Sequence, residues 1–361
     1  MGEAPPSKEH ILCLLPFPNN QPILDSIIKK HPNVEIVYKQ FSYQKGTRII
    51  NKEDIPEDEV EKATILVTLG YIPTPQLAKN LRLIHLFSAG VDWASQTPIW
   101  KETNIPFTNS SGVHAPQISE WVVMQILSNA HKQKLLLELQ KKHVWGSHAD
   151  IGAVKDSVGQ RLGVLGYGAI GRQAAKVAKA MGMDVIAYTA SPRKTPESKK
   201  YTDYTVPGTG DPEGLIPSAW YSGLTKSELH NFLSQSIDIL LISVPLTPQT
   251  RHFLSTSEFS ILSSQKAFVI NIARGPIVDH DALISALKNG DLRGAALDVT
   301  EPEPLPKESE LWDLENVSVT PHVSGIGTAY FDRSFEILEG NLGRIERGEG
   351  LWNLVDRRRG Y

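Results

Sequence analysis

Leu162-Gly163-Val164-Leu165-Gly166-Tyr167-Gly168-Ala169-Ile170-Gly171-Arg172-Gln173-Ala174-Ala175-Lys176-Val177-Ala178 is the stretch whose reading decides the fold. A short apolar run of strand type passes directly into G-x-G-x-x-G, and a helix-period stripe of Ala174, Val177, Ala178 and Met181 follows. The hexad alone is weak; its place between a strand and a helix gives it meaning. Gly166 permits a tight turn, Gly168 lets backbone approach a pyrophosphate, and Gly171 allows close helix–strand contact. Tyr167, Ala169 and Ile170 complete the turn, and the helix start adds unpaired N–H donors at the positive end of its dipole. The stretch predicts a dinucleotide-binding turn; the bland alternative is a tight turn that binds nothing.

Working outward, apolar runs at 162–165, 185–188, 237–244, 267–272, 294–299 and 317–320 read as strands buried on both faces. Upstream, strand-like runs at 11–15, 34–38, 65–69 and 83–87 alternate with helix-like stretches at 23–30 and 76–80. The chain is therefore read as α/β, two doubly wound parallel-sheet domains in tandem. A periodic segment from Ala115 to about His143, with Ile118, Trp121, Val122 and Ile126 on one face, reads as a helical connector. A last helix, from about Thr328 to Arg347, needs a face to bury. Packed on the first domain, it makes that domain discontinuous: 1–112 completed by 327–361, with 113–326 as an inserted Rossmann unit. Residues 191–221 show no periodicity and are rich in Pro, Gly, Ser and Thr, so they read as a long surface loop.

Composition narrows the function classes. The chain has 361 residues, enough for two domains, and its 37 Lys+Arg against 40 Asp+Glu give a formal charge of −3. That balance gives no whole-molecule attraction to nucleic acid or an anionic membrane. The single cysteine, Cys13, excludes an internal disulfide and sits in an apolar strand, which fits a cytoplasmic protein. Pro16 and Pro18 interrupt the first apolar run, so neither signal peptide nor membrane span is expected, and Pro6 spoils a myristoylation signal at Gly2. The histidines show no H-x-x-x-H or H-E-x-x-H spacing; His10, His31, His131 and His148 read as exposed, and no metal is expected.

The end of the strand after the glycine turn, at Thr189, bears on the type of dinucleotide. An acid there would accept from a ribose 2′-OH, but Thr189, Ser191, Arg193 and Lys194 supply hydroxyls and cations instead. Cations remove repulsion and offer charge-assisted hydrogen bonds to a 2′-phosphate, so NADP is favoured, with NAD possible. The alternative is that Arg193 and Lys194 are merely solvated.

Ligands of an open parallel sheet sit beyond the carboxyl ends of its strands. Arg274, Asp298, Glu303 and His322 all follow such ends. His suits proton exchange with an alkoxide formed by hydride transfer, Glu303 would favour the imidazolium and fix its tautomer, and Arg274 offers a fork for a 2-oxo acid. This trio reads as catalytic.

Val244-Pro245-Leu246-Thr247-Pro248 with Thr250, Asn271-Ile272-Ala273-Arg274-Gly275, Leu297-Asp298-Val299 with Glu301-Pro302-Glu303-Pro304, and Thr320-Pro321-His322 are more specific together. With them, the chain resembles the D-isomer-specific 2-hydroxyacid dehydrogenases, from Ser88-Ala89-Gly90-Val91-Asp92 to Asn353-Leu354-Val355-Asp356. The resemblance implies a flavodoxin-like substrate domain carrying the Rossmann cofactor domain. It implies a carboxylate-binding turn at Ala89, Gly90 and Val91, and selects Glu303 over Glu301 as the partner of His322. It further places Val244, Pro245, Thr250, Ile272, Ala273, Arg274, Asp298, His322 and Gly325 around the cofactor, Asp298 at the nicotinamide amide, and Arg274 and His322 on the substrate. It implies reduction of a 2-oxo acid, such as glyoxylate, hydroxypyruvate or a bulkier aryl or branched-chain analogue, to a D-2-hydroxy acid; a homodimer is the default expectation for a soluble enzyme.

Two departures stand out: the missing acid at Thr189, and the length of 191–221, which would cover the cofactor or make a subunit contact. Trp93, Trp145, Trp312 and Tyr330 are candidates for lining an aromatic substrate pocket, or for core and interface. A dinucleotide-sensing, corepressor-like protein on the same fold is the alternative function. A formate dehydrogenase fits less well, because Glu303 stands where that branch has an amide.

Overall fold

Parallel strands buried on both faces need helices on each side, and the chain satisfies this need twice. The computed structural model describes residues 8–44 and 49–361, so Gly2 and Pro6 lie outside the described residues. One compact unit is built from residues up to Val113 together with Thr328–Tyr361; the other is His114–Gly327.

In the first unit, β1 (Glu9–Leu15), β2 (Val34–Gln40), β3 (Ile65–Thr68), β4 (Leu83–Leu86) and β5 (Phe107–Asn109) form one sheet in the order β2-β1-β3-β4-β5. Every pairing is parallel, and the order is flavodoxin-like. Side chains of β1 alternate between two cores, Leu12 and Leu14 on one face, Ile11, Cys13 and Leu15 on the other. The second core is closed by Phe335, Leu338 and Leu342 of the terminal helix Tyr330–Glu346.

His85, in β4, is wholly buried, with Nδ1 3.0 Å from Thr108 Oγ1. Burial lowers its pKa to about 4, against a hydrogen bond with the Ser334 backbone that raises it. The folded ring therefore binds fewer protons than the unfolded one. Its contribution is intact above the unfolded value near 6.5 and is lost as pH falls toward 4, by about 3 kcal/mol in total. Urea unfolding of wild type and His85→Gln should show a stability difference that shrinks from pH 7 to pH 4. A constant difference would contradict the assignment.

In the second unit, β6 (Arg161–Leu165), β7 (Asp184–Thr189), β8 (Ala219–Ser222), β9 (Ile239–Ile242), β10 (Phe268–Asn271), β11 (Gly294–Leu297) and β12 (Val317–Val319) form a parallel sheet ordered β12-β11-β10-β9-β6-β7-β8. Counted from β6, this is the Rossmann order with one strand added, and direction of growth reverses between β6 and β9. Leu165, Ile242, Asn271, Leu297 and Val319 are in register across neighbouring strands. The turns that follow them therefore leave the sheet along one edge.

Four local expectations are corrected. The connector is two helices, Ala115–Ala130 and Gln133–Lys141, because Lys132 adopts a left-handed φ of 54° and its ammonium bonds the Ile151 carbonyl. Residues 76–80 make only a turn on the Thr74 carbonyl, too short to propagate a helix. His31 is buried, with Nδ1 2.8 Å from Glu346 Oε1, because the terminal helix covers it. Residues 191–221 are no loose surface loop: they hold the helix Pro196–Lys199, most of β8, and buried Tyr204 and Asp211.

Candidate active site

The glycine turn separates packing demands from ligand space. Gly166 has φ 105°, and a Cβ there would lie 2.6 Å from the Ser243 carbonyl; one at Gly171 would lie 2.4 Å from the Gly166 oxygen. A Cβ at Gly168 would meet nothing within 4 Å. Gly168 thus leaves an open cradle at the start of the helix Ala169–Ala180, where a Cβ would intrude on a phosphate. The cradle fits a dinucleotide. Tyr167 and Ala169 are buried and Ile170 half-buried, so these side chains anchor the turn.

Past β7, Thr189 Oγ1 donates to the Ser191 carbonyl (2.8 Å) and Arg193 Nη1 donates to the Ser198 carbonyl (2.6 Å). Neither Arg193 nor Lys194 has an ion-pair partner among the described residues. After β9, Thr250 Oγ1 donates to the Pro245 carbonyl and accepts from the Thr247 amide, closing the strap that begins at Val244.

At the end of β10, buried Asn271 accepts from the Ala273 amide (3.0 Å) and donates to the Arg274 carbonyl (3.0 Å). This clamp turns the chain sharply through Ile272 and Ala273 and projects Arg274, whose Nη1 donates to the Ala273 carbonyl. A Cβ on Gly275 would fall 2.0 Å from the Thr300 carbonyl, so only glycine lets the Arg274 turn touch the segment carrying Glu303. Glu303 Oε1 accepts from the Thr300 amide (3.1 Å) and Oε2 from His322 Nδ1 (3.0 Å). Burial pushes the Glu303 carboxyl up, but His322, the Thr300 amide and the charge of Arg274 together hold it below the usual carboxylate range. An ionised Glu303 puts the proton of His322 on Nδ1 and leaves Nε2 for a ligand; the His322 side chain is 44% exposed.

His322 is a non-glycine residue at φ 56°, a conformation costing about 1–2 kcal/mol. It is held there by Asp298, whose carbonyl accepts the His322 amide (2.8 Å). The buried Asp298 carboxylate accepts from Thr320 Oγ1, the Val323 amide, and both the amide and hydroxyl of Ser324. In this conformation Asp298 serves the histidine turn. The Gly325 carbonyl accepts from Gln117 Nε2 (3.0 Å).

In the first unit, the turn at 88–91 is fixed through its carbonyls. Ser88 Oγ donates to the Gly90 carbonyl, Asn109 Nδ2 to the Ala89 carbonyl, and Trp93 Nε1 to Ser88 Oγ. The amides of Ala89, Gly90 and Val91 have no protein acceptor among the described residues. Tyr330 packs inside its own unit against Phe17 and Phe87, whereas Trp145 is 99% exposed. Among the described residues, no group of three or more His, Cys, Asp or Glu is placed to hold a metal.

Sequence reasoning missed Arg172, Asp211 and the positioning task of Asn271. The available signal was an arginine three residues before Ala175, on the alanine stripe of a helix that buries that stripe.

The profile described as "D-isomer specific 2-hydroxyacid dehydrogenase, NAD binding domain" matches residues 123–209 and 211–324. A glyoxylate reductase of Thermofilum pendens is 30% identical over 284 residues, 78% of this chain and 76% of that protein. A D-3-phosphoglycerate dehydrogenase of Methanocaldococcus jannaschii is 29% identical over 85% of this chain, which spans only 54% of that relative. A D-isomer specific 2-hydroxyacid dehydrogenase of Xanthobacter autotrophicus Py2, solved with NADPH and MES, superposes with TM-score 0.74 at 27% identity, covering 98% of this chain and 100% of that one. An NADPH-dependent glyoxylate/hydroxypyruvate reductase of Sinorhizobium meliloti, solved with NADP and sulfate, gives TM-score 0.72 at 26% identity and the same coverage. With its glycine cradle, its two parallel sheets and these likenesses, the chain belongs to the D-isomer-specific 2-hydroxyacid dehydrogenase family.

Proposed function

We propose that the protein reduces small 2-oxo acids to D-2-hydroxy acids with NADPH. The observation that carries this reading is the His322–Glu303 pair beside Arg274 on the carboxyl edge of the sheet that also bears the glycine cradle. Bound there, the nicotinamide supplies the hydride. His322 Nε2 then gives its proton to the developing alkoxide, and Glu303 stabilises the imidazolium before transfer. Arg274 holds the carboxylate and carbonyl oxygens through its fork. In this reading His114–Gly327 is the cofactor unit and the remainder the substrate unit.

NADPH is preferred over NADH because the end of β7 offers Arg193 and Lys194, which have no ion-pair partner among the described residues, where a carboxylate would serve NADH; the two neighbouring structures solved with NADPH or NADP support this. Chiral separation of the product of glyoxylate homologues such as hydroxypyruvate should give the D isomer alone. An L or racemic product would refute the reading.

The working form is a cytoplasmic homodimer. Support comes from the helix Gln133–Lys141, which buries no residue, and from exposed Leu135, Leu137, Val144 and Trp145 beside it. Such a patch is costly on a monomer. Light scattering should give twice the chain mass of 39.9 kDa, falling to that mass for Leu137→Asp with Trp145→Ser. A monomeric wild type would remove the dimer.

A further inference from the structure

We propose that the 191–221 segment is a specificity device: with Arg172 it fixes the Arg193 guanidinium to receive the 2′-phosphate of NADPH. The inference rests on the NADPH reading above. It follows from how two arginines from different elements share one short helix. Arg193 Nη1 donates to the Ser198 carbonyl (2.6 Å), and Arg172 Nη2 donates to the next carbonyl, that of Lys199 (2.6 Å). Those carbonyls end the helix Pro196–Lys199, which is held by a capping box: the Ser198 amide donates to Thr195 Oγ1 and the Thr195 amide donates to Ser198 Oγ.

Arg172 is the fixed point. It is 3% exposed, springs from the helix that starts at the phosphate turn, and donates through Nη1 to the Asp211 carbonyl. Its guanidinium lies over Tyr167 (4.9 Å) and Tyr201 (5.3 Å), and 6.0 Å from Trp220. The Asp211 carboxylate is directed elsewhere, accepting from Tyr167 Oη (2.8 Å) and from the amides of Leu215 and Ile216. Tyr167 is itself the residue between the first two glycines of the cradle. One chain of contacts thus runs from the pyrophosphate turn, through Tyr167, Asp211 and Arg172, to the carbonyl pair that holds Arg193.

The electrostatics of this cluster ask for an anion. Neither arginine has an ion-pair partner among the described residues, and the Nε atoms of both are buried without a hydrogen-bond partner. Burial disfavours the protonated form of Arg172; Tyr167, Asp211 and Tyr201 oppose this, and the charge of Arg193 adds a smaller contribution in the same direction as burial. A phosphate dianion beside Arg193 relieves that crowding and forms charge-assisted hydrogen bonds. Because Arg193 is already held, little side-chain freedom is lost on binding.

The test is equilibrium titration of the full chain with NADPH, NADH, 2′,5′-ADP and 5′-AMP, followed by fluorescence quenching and calorimetry. Wild type should bind NADPH and 2′,5′-ADP at least about tenfold tighter than their partners without the 2′-phosphate, and Arg193→Ala should abolish the difference. Arg172→Met should weaken NADPH and 2′,5′-ADP about tenfold while changing NADH and 5′-AMP less than about twofold. Thr195→Val with Ser198→Ala, substitutions at an exposed and a half-buried position that spare the core, should act in the same direction by about two- to threefold, and decide the matter if Arg172→Met does not fold. If Arg193→Ala is selective but the Arg172 and capping-box variants shift all four ligands equally, or none, the positioning claim falls and the NADPH reading stands. If wild type does not discriminate, both fall.

Discussion

His322→Gln should bind NADPH as wild type does and reduce 2-oxo acids with kcat lowered about 10²- to 10⁴-fold. The expectation follows from one nitrogen. Nδ1 is committed to Glu303 at 3.0 Å, so Nε2 is the only ring atom left to exchange a proton with substrate. Glutamine fills the space without a proton to give at neutral pH. The left-handed backbone at this position is held by Asp298 through both its carbonyl and carboxylate, which fixes where the side chain leaves the turn. Glutamine tolerates that conformation no better than histidine, so a melting temperature alongside the kinetics separates catalysis from folding. Glu303→Gln should fall between wild type and His322→Gln, because it keeps a hydrogen-bond acceptor but removes the counter-charge. A His322→Gln enzyme with normal kcat would overturn the assignment of the general acid.

Arg274→Met should lose more in kcat/KM, about 10³- to 10⁴-fold, with KM rising and kcat falling together. In the proposed mechanism the side chain meets the substrate both before and during hydride transfer, as carboxylate clamp and as partner of the developing oxyanion. Asn271 and Gly275 fix its backbone from either side, so the loss is one of chemistry rather than of local order. Arg274→Lys should recover only part of it, since an ammonium supplies charge without the planar fork. Stopped-flow binding of NADPH followed by single-turnover reduction distinguishes the two components. A loss confined to KM would show that Arg274 only binds, and an unchanged kcat/KM would remove it from the site.

The parts of this protein that were legible in its sequence are those governed by short-range rules. Strands buried on both faces leave uninterrupted apolar runs, and G-x-G-x-x-G is contiguous, so the two sheets and the cradle are visible without coordinates. Arg274, Glu303 and His322 could be picked out because parallel strands deliver their carboxyl ends to one edge. What escaped notice depends on contacts distant in sequence. Nothing in the polar run 191–221 announces that Asp211 bonds Tyr167 and two amides, or that Arg172 reaches the Lys199 and Asp211 carbonyls. The order there comes from side chain to backbone bonds, which leave no period. His31 was misplaced for a like reason: its neighbours in sequence are polar, but the terminal helix brings Glu346 over it from the far end of the chain. Gly275 read as part of a motif, whereas its reason is the Thr300 carbonyl of another strand's turn.

The central claim is best tested by steady-state oxidation of NADPH and NADH in parallel against 2-oxo acids graded from glyoxylate through hydroxypyruvate to phenylpyruvate. The account predicts turnover with at least one acid, with NADPH well ahead of NADH, and the preferred acid sizes the substrate pocket. Tight dinucleotide binding with no turnover of any acid would contradict it and point instead to a dinucleotide-sensing protein on this fold.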